Sequence, residues 1–169
     1  HHRNLYVFAA YAAGIRISDL LQLQWKNFDG SKLHIKTGKT GEQLSVLLPQ
    51  KALEILKLYE KGEAGPDDFI FPLLKIAPDE QDAKRRFNAI SSATTYVNKD
   101  LRTLMGKAQI NKHVSFHSSR HSWAKRALKK GMRIEYVSKL LTHRSINTTQ
   151  IYARIIDTEL DNAMELFNE

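Results

Sequence analysis

The segment from Phe116 to Arg154 constrains the fold more than any other. It reads F-H-S-S-R-H-S-W-A, continues as a basic stretch, and ends L-T-H-R-S-I-N-T-T-Q-I-Y-A-R. The pattern predicts a helix from about Ser115 to Lys130, closed by Gly131 in a left-handed cap. A second helix is expected over Ile134–Leu141, and a short third over Asn147–Ala153 that carries Tyr152. On these helices His117 and Arg120 stand three apart, His143 follows Arg120 by 23 residues, and Tyr152 follows His143 by nine.

Charge is spread unevenly around that segment. The 169 residues carry a formal net charge of +8. Nine Lys and Arg face the single acid Glu135 between Asn111 and Arg144, whereas residues 155–169 hold five acids and no base. A basic excess favours a polyanionic partner, nucleic acid or an anionic membrane surface. A basic run taken alone is as readily a solvated helix face. With 42% apolar residues and no run of 18 of them, the chain reads as one globular domain without a membrane span. Cysteine is absent, which removes disulfide and thiol chemistry and fits a reducing, cytoplasmic setting. His1-His2-Arg3 lack a signal peptide's apolar core and are assigned no function.

The remainder of the chain supplies the frame. Residues 3–13 read as a mostly buried helix ended by Gly14. Ser18 and Asp19 look like an N-cap for a helix over Leu20–Trp25. Leu33–Ile35 and Leu44–Leu47 alternate apolar and polar residues, and K-T-G-K-T-G-E between them makes a β-hairpin with a lysine at its tip. Pro49 opens a helix to about Lys61. A loop follows, and Phe69–Pro72 is expected as a third strand. Residues 79–109 should be helical with a break near Ser91-Ser92. Leu160, Met164 and Phe167 would form the apolar stripe of an acidic C-terminal helix. The expected class is mainly α with a small antiparallel three-stranded β-sheet.

One set of side chains is suited to phosphoryl transfer. A phosphodiester's transition state gathers charge on its non-bridging oxygens, which planar arginines bind two at a time. A tyrosine hydroxyl is a competent nucleophile once its proton is removed. The leaving alkoxide needs a proton from a lysine or histidine. Arg16, Lys39, His117, Arg120, His143 and Tyr152 supply all these groups, with no cofactor and no metal.

These residues sit in blocks that resemble the catalytic domain of the tyrosine recombinases, or phage integrases, and more distantly the type IB topoisomerases. The blocks are Gly14-Ile15-Arg16-Ile17-Ser18-Asp19-Leu20-Leu21-Gln22-Leu23, Lys39-Thr40-Gly41, His117-Ser118-Ser119-Arg120 and Leu141-Thr142-His143, with Tyr152 at the family spacing. The pattern is departed from at Leu47, where the family usually has proline. The resemblance implies that Arg16 and Arg120 bind the scissile phosphate, that Lys39 protonates the 5′-oxygen, and that His143 hydrogen-bonds the phosphate. It implies that His117 helps accept the tyrosine proton, that Tyr152 attacks to give a 3′-phosphotyrosine, and that Asp19 orients Arg16. It also implies a double-stranded DNA partner, a monomer when free, and a tetramer on DNA with C-terminal segments exchanged between protomers. The N-terminal helical domain that family members close around DNA is expected to be absent here.

Rival readings are weaker. Lys36 could take the role of Lys39, but Thr40-Gly41 follows only the latter. His113, His117 and His121 are spaced like a metal face, yet H-E-x-x-H is not matched and Arg120 would put a cation beside the metal. Gly38-Lys39-Thr40 lacks the leading glycine of a phosphate-binding loop, and Asn147-Thr148-Thr149 is a glycosylation sequon in a chain with no other sign of secretion. His121 and Trp123 read as packing residues. A DNA-binding accessory protein of the same fold without activity is the main alternative. A metal-dependent nuclease is disfavoured because no carboxylate cluster lies among the basic blocks.

Overall fold

A computed structural model describes residues 1–60, 62 and 64–153. The expected helix carrying Leu160, Met164 and Phe167 lies outside the described residues. In chain order the elements are α1 (His2–Tyr11), α2 (Ile17–Leu21), a 3-10 turn (Trp25–Asn27), β1 (Lys32–Lys36), β2 (Gln43–Leu47), α3 (Gln50–Lys57), α4 (Ala83–Lys107), α5 (His117–Lys129), α6 (Ile134–Leu140) and α7 (Asn147–Ala153). The chain is mainly helical, as its periodicity implies. Among the described residues no helix is long and apolar enough to cross a membrane.

α1 is the central post. Leu5, Phe8 and Ala9 are buried, and the helix packs on both α3 and α5. Phe8 and Tyr59 each meet Phe71 edge to face, with ring centroids 5.3 and 5.0 Å apart. α5 is tied to α1 on its other side, where the Arg126 guanidinium lies 4.1 Å over the Tyr11 ring and donates to the Ala10 carbonyl. α5 is also anchored at its start, because Asn98 of α4 accepts the Phe116 N–H at 2.7 Å. α5 is therefore held near both ends, with His117 and Arg120 in its first turn.

Among the described residues the sheet has two strands, not three. β1 and β2 pair antiparallel with Leu33 opposite Val46 and Ile35 opposite Leu44. Leu33, Ile35 and Val46 face the core while Lys32, His34 and Lys36 face out, as the alternation requires. Phe69–Pro72 bends and turns rather than joining them. Phe69 makes one isolated bridge with Gln24, and the Ile70 N–H donates to the Leu23 carbonyl at 2.8 Å. Ile70 and Phe71 then plug the core, and Pro72 has no N–H to continue a ladder.

Other boundaries also shift for local reasons. α2 starts at Ile17 with Arg16 as its N-cap residue, so Asp19 lies inside the helix and its carboxylate accepts from Gly38 rather than capping. The chain beyond α2 turns at Gln24, where Gln24 and Asn27 cap one another around the 3-10 turn. α3 ends at Lys57 rather than Lys61. α4 begins at Ala83 because Asp82 accepts the N–H groups of Lys84 and Arg85. No break occurs at Ser91-Ser92; the Thr94 and Thr95 hydroxyls fold back on the Ile90 and Ser91 carbonyls within an unbroken helix.

Candidate active site

Four of the six candidate groups converge on one cavity of about 290 Å³, lined by Arg16, Lys39, His117 and Arg120 together with Ile15, Ile17, Ser18, Phe116 and Ser119. They arrive from three distant parts of the chain: the α1–α2 junction, the hairpin tip and the first turn of α5. Among the described residues no carboxylate lines this cavity. His143 and Tyr152 do not line it. His143 lines the neighbouring cavity of about 530 Å³ between the hairpin and α6, and Tyr152 is buried on α7.

Arg120 is 4% exposed and held by backbone oxygens. Its Nη1 donates to the Gly14 carbonyl at 2.8 Å and its Nη2 to the Leu141 carbonyl. Burial and the Arg16 charge lower its pKa to about 10, so it stays cationic at neutral pH. Gly14 makes this approach possible. It sits at φ +60°, and a Cβ there would lie 3.0 Å from both Cα and Cγ of Arg120. Arg16 precedes α2 in extended backbone, and its Nη1 donates to Thr142 Oγ1 at 2.8 Å.

Lys39 is presented by a loop that closes on itself. The Thr37 N–H donates to the Glu42 carbonyl at 2.9 Å and Gly41 N–H to the Thr37 carbonyl at 2.8 Å. Asp19 fastens this loop to α2: its Oδ1 accepts the Gly38 N–H at 3.1 Å. Its Oδ2 is buried without a hydrogen-bond partner among the described residues. Burial raises the Asp19 pKa, against the opposing pull of Gly38 N–H, Arg16 and Arg120. Asp19 is thus joined to the lysine loop by a hydrogen bond, while its link to Arg16 is one of charge. Lys36 ends β1 on the solvent face and does not line the cavity.

Two of the histidines pair with each other and a third pairs with a threonine. His143 Nδ1 lies 2.8 Å from the buried Thr149 hydroxyl of α7. Burial, then the charges of Arg120 and Arg16, with His117 and Lys39 adding to them, lower its pKa to about 4, so it is neutral at pH 7. His117 and His121, one turn apart on α5, meet edge to face with centroids 4.5 Å apart. Burial also lowers both of their pKa values, assisted at His117 by His121 and at His121 by Lys125. His113 precedes α5 in irregular chain, so it does not share their helix face.

Tyr152 is 4% exposed, and its hydroxyl meets His121 Nδ1 at 2.8 Å. Burial raises the phenol's pKa, which Arg120 partly offsets. His121 is the residue that sequence reasoning assigned to packing. Its spacing of four from His117 placed it on the right face, but only the docking of α7 on α5 shows which histidine receives the phenol. Trp123 is buried, in keeping with a packing role.

Residues 1–159 match the phage integrase family. The chain is 31% identical to tyrosine recombinase XerA of Pyrococcus furiosus, over 97% of this chain and 54% of that protein. It is 32% identical to a tyrosine recombinase of Thermosipho africanus, over 92% of this chain and 50% of that one. It therefore spans about half the length of these curated relatives. Its fold is shared with the crystal structure of XerA recombinase, at a TM-score of 0.66 and 22% identity, covering 99% of this chain and 63% of that one. It is shared too with XerH site-specific recombinase in a post-cleavage complex with its difH substrate, at 0.67 and 21%, covering 100% of this chain and 46% of that one. By the match over nearly its whole length, the chain belongs to the phage integrase family.

Proposed function

We propose that this chain is the catalytic part of a tyrosine-type site-specific recombinase that cuts and rejoins double-stranded DNA through a 3′-phosphotyrosine. The observation that carries the reading is the convergence of Arg16, Lys39, His117 and Arg120 on one carboxylate-free cavity beside a buried, histidine-bonded tyrosine. Arg16 and Arg120 bind the non-bridging oxygens of the scissile phosphate. Neutral His143, held by Thr149, adds a hydrogen bond to the same oxygens. The Tyr152 oxygen attacks phosphorus, and its proton passes to the unprotonated Nδ1 of His121 with His117 edge-on beside it. The bond from phosphorus to the 5′-oxygen breaks, and Lys39 supplies the proton that makes the 5′-hydroxyl. Attack by a 5′-hydroxyl on the phosphotyrosine reverses these steps and restores the phenol. The linkage energy stays in the covalent bond, so the route needs neither ATP nor a metal. The protein is monomeric when free and assembles on DNA.

A library of duplexes with randomised sequence around a nick tests this. In EDTA the chain should form an adduct that survives SDS, and Tyr152→Phe should form none. Lys39→Ala should be slow on ordinary DNA and recover when sulfur replaces the bridging 5′-oxygen, because a thiolate leaves without a proton. An adduct in the Phe variant would remove Tyr152 as nucleophile, and a requirement for Mg²⁺ would remove the metal-free route. Salt-sensitive DNA binding without any adduct would favour the accessory-protein reading.

A further inference from the structure

The chain leaves α6 through Leu141-Thr142-His143, where the first two residues each contact a candidate arginine and the third is itself a candidate group. The Leu141 carbonyl accepts from Arg120, the Thr142 hydroxyl accepts from Arg16, and His143 pairs with Thr149. Thr142 is 4% exposed and sits at φ +50°, in the left-handed region that β-branched residues avoid. The conformation ends the helix: the Thr142 N–H donates to the Lys139 carbonyl at 2.9 Å and the His143 N–H to the Ser138 carbonyl at 3.1 Å. Glycine meets that demand without strain, and at the end of α5 Gly131 does so at φ +80°. The backbone alone therefore gives no reason for threonine at position 142. Glycine would lack the hydroxyl that accepts from Arg16, and it is Arg16 that lines the cavity, while Thr142 lines the neighbouring one with His143.

We propose that Thr142 is a positioning residue: its hydroxyl, delivered by strained backbone, fixes the Arg16 guanidinium at the cavity shared with Lys39, His117 and Arg120. This rests on the reading of Arg16 as a ligand of the scissile phosphate. Strain persists where surrounding structure over-determines it, and here the buried turn is held by the arginines on both sides. A small misplacement of one phosphate ligand lowers the rate of transfer far more than it lowers DNA affinity, which many contacts share.

Three variants of the intact chain separate hydroxyl from backbone: Thr142→Ser, Thr142→Ala and Thr142→Gly. Adduct formation is followed on the randomised duplex library carrying a bridging 5′-sulfur, and DNA affinity on the same duplexes. Thr142→Ser should form adduct within about 3-fold of the parent, while the Ala and Gly variants should both slow by about 10- to 100-fold with affinity nearly unchanged. Thr142→Gly should melt about 3 °C above Thr142→Ala, because only glycine relieves the left-handed backbone. Relaxation of the Arg16 Nε–H by NMR should show new fast motion in the Ala and Gly variants and none in Ser. Ala or Gly variants that cleave at the parent rate would overturn the proposal, as would an Arg16 signal unchanged by them. A parent chain that forms no adduct would defeat the recombinase reading instead, and the Arg16 signal would still decide whether Thr142 tethers it.

Discussion

Helices α5 and α6 end with the same backbone turn and different residues. At the end of α5, Gly131 adopts φ +80°, and the Met132 N–H donates to the Ala127 carbonyl. At the end of α6, Thr142 adopts φ +50°, and the His143 N–H donates to the Ser138 carbonyl. Gly131 is exposed, and a Cβ there would meet nothing within 4 Å, so only its dihedral angle asks for glycine. Thr142 is buried between Arg16 and the carbonyl that holds Arg120. A non-glycine residue in this conformation costs about 1–2 kcal/mol. Gly14, beyond α1, is a third case: its dihedral angle and its contact with Arg120 both demand the absence of a Cβ. Turns near the cavity thus couple backbone geometry to Arg16 and Arg120, whereas the turn at Gly131 touches neither.

The strongest challenge to that distinction is Gly14→Ala. The added Cβ would press on the Arg120 backbone, which cannot swing aside as a flexible side chain would. A loss of about 2–4 kcal/mol in denaturant unfolding is expected from strain and overpacking together. Adduct formation on nicked duplexes should drop more than 100-fold. If this variant behaves like a change at Gly131, closeness to Arg120 counts for nothing.

A second, intermediate effect is acid sensitivity on the α6 side. His143 has a pKa near 4 in the fold against 6.5 without it, because burial and the charges of Arg120, Arg16 and Lys39, with His117 beside them, disfavour its charged form. Between those values the unfolded chain binds a proton that the folded chain refuses. Stability should therefore fall as pH drops from about 6.5 to 4, and level off below. His117 and His121 shift in the same direction and add to the slope. Thermal midpoints measured across this range should rise with pH, and His143→Asn should flatten the rise. An unchanged slope in that variant would place the acid sensitivity elsewhere.

The smallest expected effect is at the distant turn. Gly131→Ala should cost about 1 kcal/mol, lowering the thermal midpoint by about 3 °C, with adduct formation at the parent rate. A fall in cleavage there would erase the contrast between the two turns.

Much of this was readable from residues in order. Alternation across Leu33–Ile35 and Leu44–Leu47, with glycines between, specifies a hairpin because period-2 burial has no helical solution. Gly131 marks the end of α5 because few other residues accept its dihedral angle. Phe69–Pro72 is a core plug rather than a third strand, and a short apolar run suits both equally well. Ser91-Ser92 suggested a break, yet weak local preferences yield inside a long helix packed at Ala93, Val97 and Leu101.

The candidate site divides along the same line. The sequence by itself determined which chemical groups are present, their order, and that His117, Arg120 and His121 share one turn-and-face of α5, since helical geometry is local. Only the tertiary structure decided that Tyr152 rests on His121, that Asp19 reaches the lysine loop rather than a helix cap, and that Thr142 holds Arg16 across 126 positions of sequence. Those contacts depend on how α7, the hairpin and the end of α6 dock on the post formed by α1 and α5. Docking is set by burial and shape summed over many residues, which no single motif records.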